Sequence, residues 1–386
     1  MARELTETQA SCDLHAQAVS FARSRIAANE RLSSSTAFPW DLWRDMGASG
    51  LLGAGVPSAH GGHGMGYPGI QETGRLLARH GRCLGMTLSW LIHQIIARFF
   101  LGTFATMEQK RTYLTAMAEG AMTLSVAISE PGVGGHPKHL QTYARPSGNA
   151  FLLSGRKTFL TNGPIADAFI VLAVTGREGG KNRYSAFIVP RGTPGLSMEE
   201  PLDVGFFRPC PHGGIVLDDC MVPGHAILGR PGTAYEDMAR AFRVVEDVTM
   251  MGPVLGGQEA RFEGVLTGLQ DQAGFVSEET AFDLGWISSS LAALAVLGRE
   301  SARLLEQEGP SQVSDGLILA FRGLFGKVHE RIGQACSLPG LHQDDPCLFL
   351  ANDLHQVVRF AGRVARSKQI RLGRACVADP GARASD

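Results

Sequence analysis

The residues with the clearest chemical potential lie between 124 and 163. Leu124 to Ile128 alternates small and apolar side chains as a buried strand does, and Ser129-Glu130-Pro131-Gly132-Val133-Gly134-Gly135 then breaks it with a proline and three glycines. A loop of that kind lets backbone N–H groups approach a planar or anionic ligand closely. Phe151 to Leu153 and Thr158 to Leu160 read as further strands, separated by Ser154-Gly155 and closed by Asn162-Gly163, a dipeptide typical of hairpins. A hydroxyl-bearing glycine loop and an aromatic strand ending in Thr161 would then face one another.

Other chemistries find little support. His60 and His63, and likewise His136 and His139, are spaced three apart, but both pairs sit in Gly- or Pro-containing loops without a Cys or carboxylate set, so no metal site is expected. No Ser/His/Asp or Cys/His arrangement has the context of a nucleophile elbow. Met250-Met251 reads as core filling. The seven cysteines (12, 83, 210, 220, 336, 347 and 376) contain no CxxC pair and are odd in number, which fits buried thiols in a reducing compartment and a cytoplasmic protein. Net charge of −1 gives no electrostatic reason to expect nucleic acid as a partner.

The elements that must position the loop follow from periodicity. With 386 residues the chain exceeds the size of one hydrophobic core, and 44% hydrophobic against 19% charged residues describe an ordinary globular protein. The first 120 residues or so carry apolar positions at helical spacing: an opening helix over 3–34, a second starting at Phe38-Pro39-Trp40, and further periodic runs over 69–101 and 108–119. Leu84 to Leu101 is the longest apolar region, but His93, Gln94 and Arg98 interrupt it, so a buried helix is expected and no membrane span. The N-terminus lacks the apolar stretch of a signal peptide. Between 122 and 230, β-branched and aromatic runs alternate with Gly, Pro and Asp turns, which indicates a β-sandwich or barrel. Helical spacing returns at 233–270, 278–307, 312–335 and 346–373, enough for a four-helix bundle. The expected organisation is thus an α+β chain of three parts: an N-terminal helical domain (1–121), a middle β domain (122–230) and a C-terminal helical bundle (231–386).

That order, with the glycine loop and Phe159-Leu160-Thr161-Asn162-Gly163 in its β part, resembles the acyl-CoA dehydrogenase family. Phe38-Pro39…Leu42-Trp43…Gly50-Leu51-Leu52…Val56-Pro57…Gly61-Gly62 is similar to the family's N-terminal passage. Gly102-Thr103…Glu108-Gln109-Lys110…Tyr113-Leu114…Ala118-Glu119-Gly120 is similar to its approach to the flavin loop, and Phe187-Ile188-Val189…Gly195 and Leu217 to Pro223 followed by Leu228-Gly229 fit its last strands. Each signal is weak alone; their shared order makes them specific. The resemblance implies FAD, with Ile128 and Ser129 at the pyrimidine edge, Gly134 and Gly135 beneath the pyrophosphate, and Phe159 and Thr161 flanking the ring. It also implies an acyl-CoA or acyl-carrier thioester as substrate, with Arg243 and Phe242 on the substrate side, and a homodimer or homotetramer built through the bundle.

The chain departs from the family pattern where the chemistry should happen. Family members remove an α-proton with a carboxylate while a β-hydride leaves to the flavin. The base usually lies in an aromatic-Glu-Gly triplet; here Phe360-Ala361-Gly362 aligns with it, and Ala361 cannot take a proton. Other members carry the base just before a characteristic Arg, here Arg243, but Phe242 occupies that place. Glu246, four residues after Phe242, shares its helix face about one turn along, roughly 6 Å away, and is the remaining candidate; pairing with Arg243 or Arg240 is the structural alternative. Further differences fall on the cofactor elements. Asp271-Gln272-Ala273-Gly274-Phe275 replaces the family's Arg-x-x-Phe-Gly, Leu338 replaces a glycine within 334–340, Arg240 replaces an Asp, and Gly135-His136 replaces Ser-Asp. Three functions remain open at this point. They are an FAD-dependent dehydrogenase with a relocated base, an inactive partner subunit in a heteromer with an active homologue, and a flavin monooxygenase on the same fold.

Overall fold

The computed structural model describes residues 2–136, 139–271, 276–310, 315–336 and 346–378, with side chains at 2–11 and 360–364 among those left outside the description. Helices α1 (Ala2–Phe21), α2 (Trp40–Ala48), α3 (Tyr67–Gly81), α4 (Leu84–Ile95), α5 (Gly102–Phe104) and α6 (Met107–Ala118) come first. Strands β1 (Leu124–Ala127), β2 (Tyr143–Ser147), β3 (Ala150–Thr161), β4 (Ala168–Glu178), β5 (Lys181–Pro190), β6 (Leu196–Met198), β7 (His212–Pro223) and β8 (Ile227–Leu228) follow. Four long helices close the chain: α7 (Arg240–Asp271), α8 (Glu278–Glu308), α9 (Asp315–Ala335) and α10 (Pro346–Ala378). The expected succession of helices, sheet and helical bundle is present.

Local chemistry sets several of these boundaries. The periodic run over 69–101 is divided, because Arg82 ends α3 in a left-handed conformation (φ 55°) and Cys83 is extended. Thr106 and Gln109 form a capping box at the start of α6. The Gln109 amide also donates to the carbonyls of His225 and Ile227 at 3.0 Å, fastening α6 to β8.

The β part is one eight-stranded sheet, in the order β6-β7-β3-β2-β4-β5-β8 with β1 beside β4 in parallel. Alternation along β4 explains its central place. Phe169, Val171 and Ala173 enter a core enclosed by the sheet itself, while Ala168, Ile170 and Leu172 face the larger helical core. The hairpin expected at Asn162-Gly163 is not formed, since β3 pairs with β2 and β7 and not with β4. Asn162 is instead a buried left-handed residue (φ 60°) whose amide donates to Ser89 O of α4 at 2.9 Å. Asn tolerates that conformation, so the same residue preference serves a turn docked on a helix.

Leu84–Phe104 and Glu278–Glu308 are both long and apolar enough, by length and composition alone, to cross a membrane. The first is 94% buried inside the protein, as a core helix should be, and the second 28%. Counting uninterrupted apolar residues passes over α8, because Asp283 and Ser288 to Ser290 break its run.

Helix α7 joins the two helical parts. An added Cβ at Gly252 would lie 2.0 Å from Gln71 O, and one at Gly256 would lie 2.1 Å from Arg75 O, so the backbones of α7 and α3 touch. The Gln71 amide donates to Val248 O (2.7 Å) and Gly298 O (3.0 Å), binding α3 to α7 and α8 together. Arg75 forks onto Glu259 at 2.8 and 2.9 Å. Gly252→Ala forces the two helices apart and is expected to lower stability by at least about 1–3 kcal/mol, the usual cost of overpacking, read as a shift in the urea midpoint.

Candidate functional site

The glycine loop is held by a buried ion pair. Lys157 and Glu130 are almost wholly buried, with Nζ 2.9 Å from Oε1. Glu130 also accepts from the backbone N–H groups of Gln141 (2.7 Å) and Thr142 (2.9 Å), and Lys157 Nζ donates to Ile128 O at 3.1 Å. Burial works against both charges. Desolvation lowers the Lys157 pKa to about 8 although Glu130 opposes it. For Glu130 burial is outweighed by Lys157 and the donated hydrogen bonds, which hold its carboxyl below the usual range. The pair thereby fixes both ends of the turn: Ser129 O accepts from Thr158 N–H at 2.9 Å, and Glu130 and Gly134 exchange backbone hydrogen bonds of 3.0 Å.

Phe159 stands next to this loop with φ 56°, a strained value for a bulky side chain, at a register shift in the β3–β7 ladder between Lys157 and Leu160. The irregularity turns the ring outward, leaving it 64% exposed. Phe159 and Thr161 form one wall of a cavity of about 890 Å³. The remaining walls are Leu88 and Leu91 of α4, Val204 to Phe207 before β7, and residues of α7, α9 and α10. Asp353 of α10 accepts from Phe207 N–H at 2.7 Å and so anchors that phenylalanine wall; its burial pushes its pKa up to about 7.

The polar end of the cavity belongs mainly to α7. Arg243, Glu246 and Asp247 all line it, with Arg322 from α9, Lys368 from α10 and His212 from β7. Arg322 pairs with Asp247 at 2.6 Å and Lys368 with Asp315 at 2.9 Å. The Arg243 guanidinium lies 3.5 Å from Gly135 O, so it touches the glycine loop. Among the described residues the Glu246 carboxyl makes no hydrogen bond or ion pair; neither Arg243 nor Arg240 takes it. Burial, and then the adjacent Asp247, push its pKa up to about 7. His212 is kept neutral-leaning by burial and shares a hydrogen bond of 3.1 Å with Cys210 O.

The structure therefore brings Phe159, Thr161, Arg243 and Glu246 to one cavity. Arg243 in turn connects to Gly135, whose missing Cβ would lie 3.1 Å from its Nη2 and 3.9 Å from Ser129 Oγ. Ile128, Ser129 and Gly134 lie on the same loop, beside that wall. Phe242 packs on Phe100, ring centres 5.2 Å apart, and is not among the side chains lining the cavity. Position 361 falls on α10 between the lining residues Val358 and Ala365, at helical spacing from both; its side chain is outside the described residues. Residues 272–275 and 337–345, which carry other departures from the family, are also outside them. Sequence reasoning passed over Lys157, His212, Asp247, Arg322 and Lys368. Only Lys157 left a signal, a lysine between Leu153 and Leu160 in a strand whose inward positions are otherwise mostly apolar.

The β side of the cavity suits a flavin. Ser129 and Thr161 present side-chain hydroxyls with no hydrogen-bond partner among the described residues, Phe159 offers an exposed ring face, and the space about Gly132 and Gly134 is open for at least 4 Å. No group of three or more His, Cys, Asp or Glu suited to a metal occurs among the described residues.

The fold and this wall define a protein of the helix–sheet–helix flavoprotein type. Residues 8–121 match the acyl-CoA dehydrogenase N-terminal domain and residues 125–220 its middle domain. The chain belongs to the acyl-CoA dehydrogenase family. It is 38% identical over 196 residues to L-prolyl-[peptidyl-carrier protein] dehydrogenase of Pseudomonas fluorescens, a match covering 49% of this chain and 50% of that one. For the first two curated relatives the matched stretch spans 50% and 57% of their length. Butyryl-CoA dehydrogenase from Megasphaera elsdenii shares the fold with a TM-score of 0.85 at 20% identity, over 95% of this chain and 98% of that one. Glutaryl-CoA dehydrogenase from Mycobacterium smegmatis, solved in complex with FADH2, gives 0.82 at 21% identity, over 96% and 95%.

Two outcomes follow from the charges. Lys157→Met leaves the buried Glu130 carboxylate without its cation and is expected to cost roughly 3–5 kcal/mol in urea denaturation, since breaking one side of a buried pair strands the other. Glu246 has a raised pKa in the folded protein, so the folded state holds an extra proton between about pH 4.5 and 7 and stability falls as pH rises through that window. Glu246→Gln is therefore expected to raise Tm at pH 8, where the wild-type carboxylate is ionised, and to leave Tm nearly unchanged at pH 5, as calorimetry at both values would record.

Proposed function

We propose that this chain is a flavin-dependent oxidoreductase that desaturates an acyl thioester between Cα and Cβ, with Glu246 as the base in place of the residue that Ala361 has replaced. FAD, when bound, supplies the acceptor for the β-hydride. Ile128, Ser129, Gly134 and Gly135 hold it on the loop side, and Phe159 and Thr161 flank its ring. Arg243 serves the substrate side, whereas Phe242, packed on Phe100 away from the cavity, supports the wall from behind. Glu246 accepts the α-proton; a carboxyl poised near neutrality, lining the cavity and engaged in no hydrogen bond or ion pair among the described residues, has the ionisation a base needs at physiological pH.

The observation that carries this reading is the Glu246 carboxyl, unpaired and in the same cavity as Phe159 and Thr161. A subunit that had lost catalysis has no reason to keep a half-buried carboxyl that no hydrogen bond or ion pair engages, since an apolar replacement would relieve the desolvation. That favours an active enzyme over an inactive partner subunit, and a proton-abstracting one over a monooxygenase. The carrier is CoA or a carrier protein, the latter supported by the name of the Pseudomonas relative. We further infer a cytoplasmic homodimer or homotetramer, with domains at 1–121, 122–230 and 231–386.

The purified protein is expected to show a flavin band near 450 nm that bleaches on adding a saturated acyl-CoA or acyl-carrier thioester. The bleaching rate should rise with pH along an apparent pKa of about 7. Glu246→Gln should retain the band and lower kcat/KM by about 100-fold or more. An unchanged rate in that variant sinks the assignment of the base, and a colourless preparation sinks the flavin reading altogether.

A further inference from the structure

Glu246 lacks a counter-ion in a cavity lined by three cations, and each cation is engaged elsewhere. Arg243 reaches Gly135 O at 3.5 Å, Arg322 reaches Asp247 Oδ1 at 2.6 Å, and Lys368 Nζ reaches Asp315 Oδ1 at 2.9 Å. Of these, the Arg322 pair is the closest in chain to Glu246. Asp247 is the next residue of α7, turned about 100° around the helix, so its carboxylate meets α9 while Glu246 keeps its own direction.

We propose that Asp247 is a positioning residue for Glu246: by fixing Arg322 on α9 it keeps that guanidinium off the neighbouring carboxyl, and its own charge disfavours a second anion beside it. Both effects act in one direction. An Arg322 released from Asp247 would be free to turn to Glu246 and stabilise its ionised form, and loss of the Asp247 charge would do the same. The other charged or titratable groups facing this end are Arg243 on α7, Lys368 on α10 with Asp315 on α9, and His212 on β7. Arg243, and to a lesser degree Arg322 even while it is paired with Asp247, already favour the ionised form; Lys368 is neutralised by Asp315, and His212 is disposed by burial to stay uncharged. Asp247 is thus the nearby group whose removal changes both the charge and the hydrogen bonding around Glu246.

The inference rests on Glu246 facing the cavity as an unpaired carboxyl, as in the proposed function, but its test needs no turnover. In the full-length protein, the protonated-carboxyl infrared band present in wild type and absent from Glu246→Gln is followed from pH 4 to 9. The wild-type midpoint should lie near 7, and Asp247→Asn should move it down by about one unit or more. Asp247→Glu, which preserves the ion pair, should restore it. Asp247→Ser is the second variant should the amide not fold, with the same expected shift. A midpoint that stays or rises in both variants overturns the proposal. Failure of the base assignment would look different: the midpoint would still move on losing Asp247, while thioester-driven bleaching would show no matching pH dependence.

Discussion

The backbone contact between α3 and α7 is the constraint on which the rest of the molecule depends. Two glycines on α7 and two carbonyls on α3 approach so closely that no side chain fits between them, and the Gln71 amide donates both its N–H groups to carbonyls of α7 and α8. That contact fixes the rotation of α7 about its own axis. With Gly252 and Gly256 against α3, the face carrying Arg243, Glu246 and Asp247 is directed into the cavity. The N-terminal helices thus decide where the acids of the C-terminal bundle point, although they contribute few groups to the site themselves.

The opposite wall is rigid for a different reason. A lysine and a glutamate buried together are costly to desolvate, and what that cost secures is a loop whose two ends are tied to separate strands. Phe159 adds local strain next to it, a left-handed phenylalanine at a strand irregularity, persisting because the flanking ladder over-determines it. Strained aromatic, paired charges and open glycines concentrate within one stretch of β3 and the loop between β1 and β2 that it holds. Elsewhere the sheet departs from a regular ladder only locally, at Leu153/Gly155 of β3 and Val174/Gly176 of β4 among the described pairings.

Much of this architecture was legible in the sequence because it rests on periodicity. The long bundle helices, the change to β-rich composition and the buried helix at Leu84 follow from spacing of apolar residues, and the glycine loop from its composition. What stayed illegible depends on contacts between distant segments. Asn162-Gly163 carries hairpin chemistry, yet the turn docks on Ser89 instead of joining paired strands. Glu130 reads as a loop residue until Lys157 is seen beneath it. Arg322 and Lys368 look like ordinary surface charges of amphipathic helices, and only the packing of α9 and α10 on α7 brings them to the cavity.

The cavity runs along α7, and its lining residues Glu246, Met250 and Val254 succeed one another at single-turn intervals. A substrate lying along that stripe would need to shift by only about a turn for its α-carbon to meet Glu246. A carboxyl in this setting needs two things at once: apolar walls that raise its proton affinity, and nearby cations restrained from cancelling that effect. Phe206, Phe207 and Met250 provide the first; Gly135, Asp247 and Asp315, by engaging Arg243, Arg322 and Lys368, provide the second. The basicity of Glu246 is on this view a property of three helices and a loop held in register, which a change in any one of them would disturb.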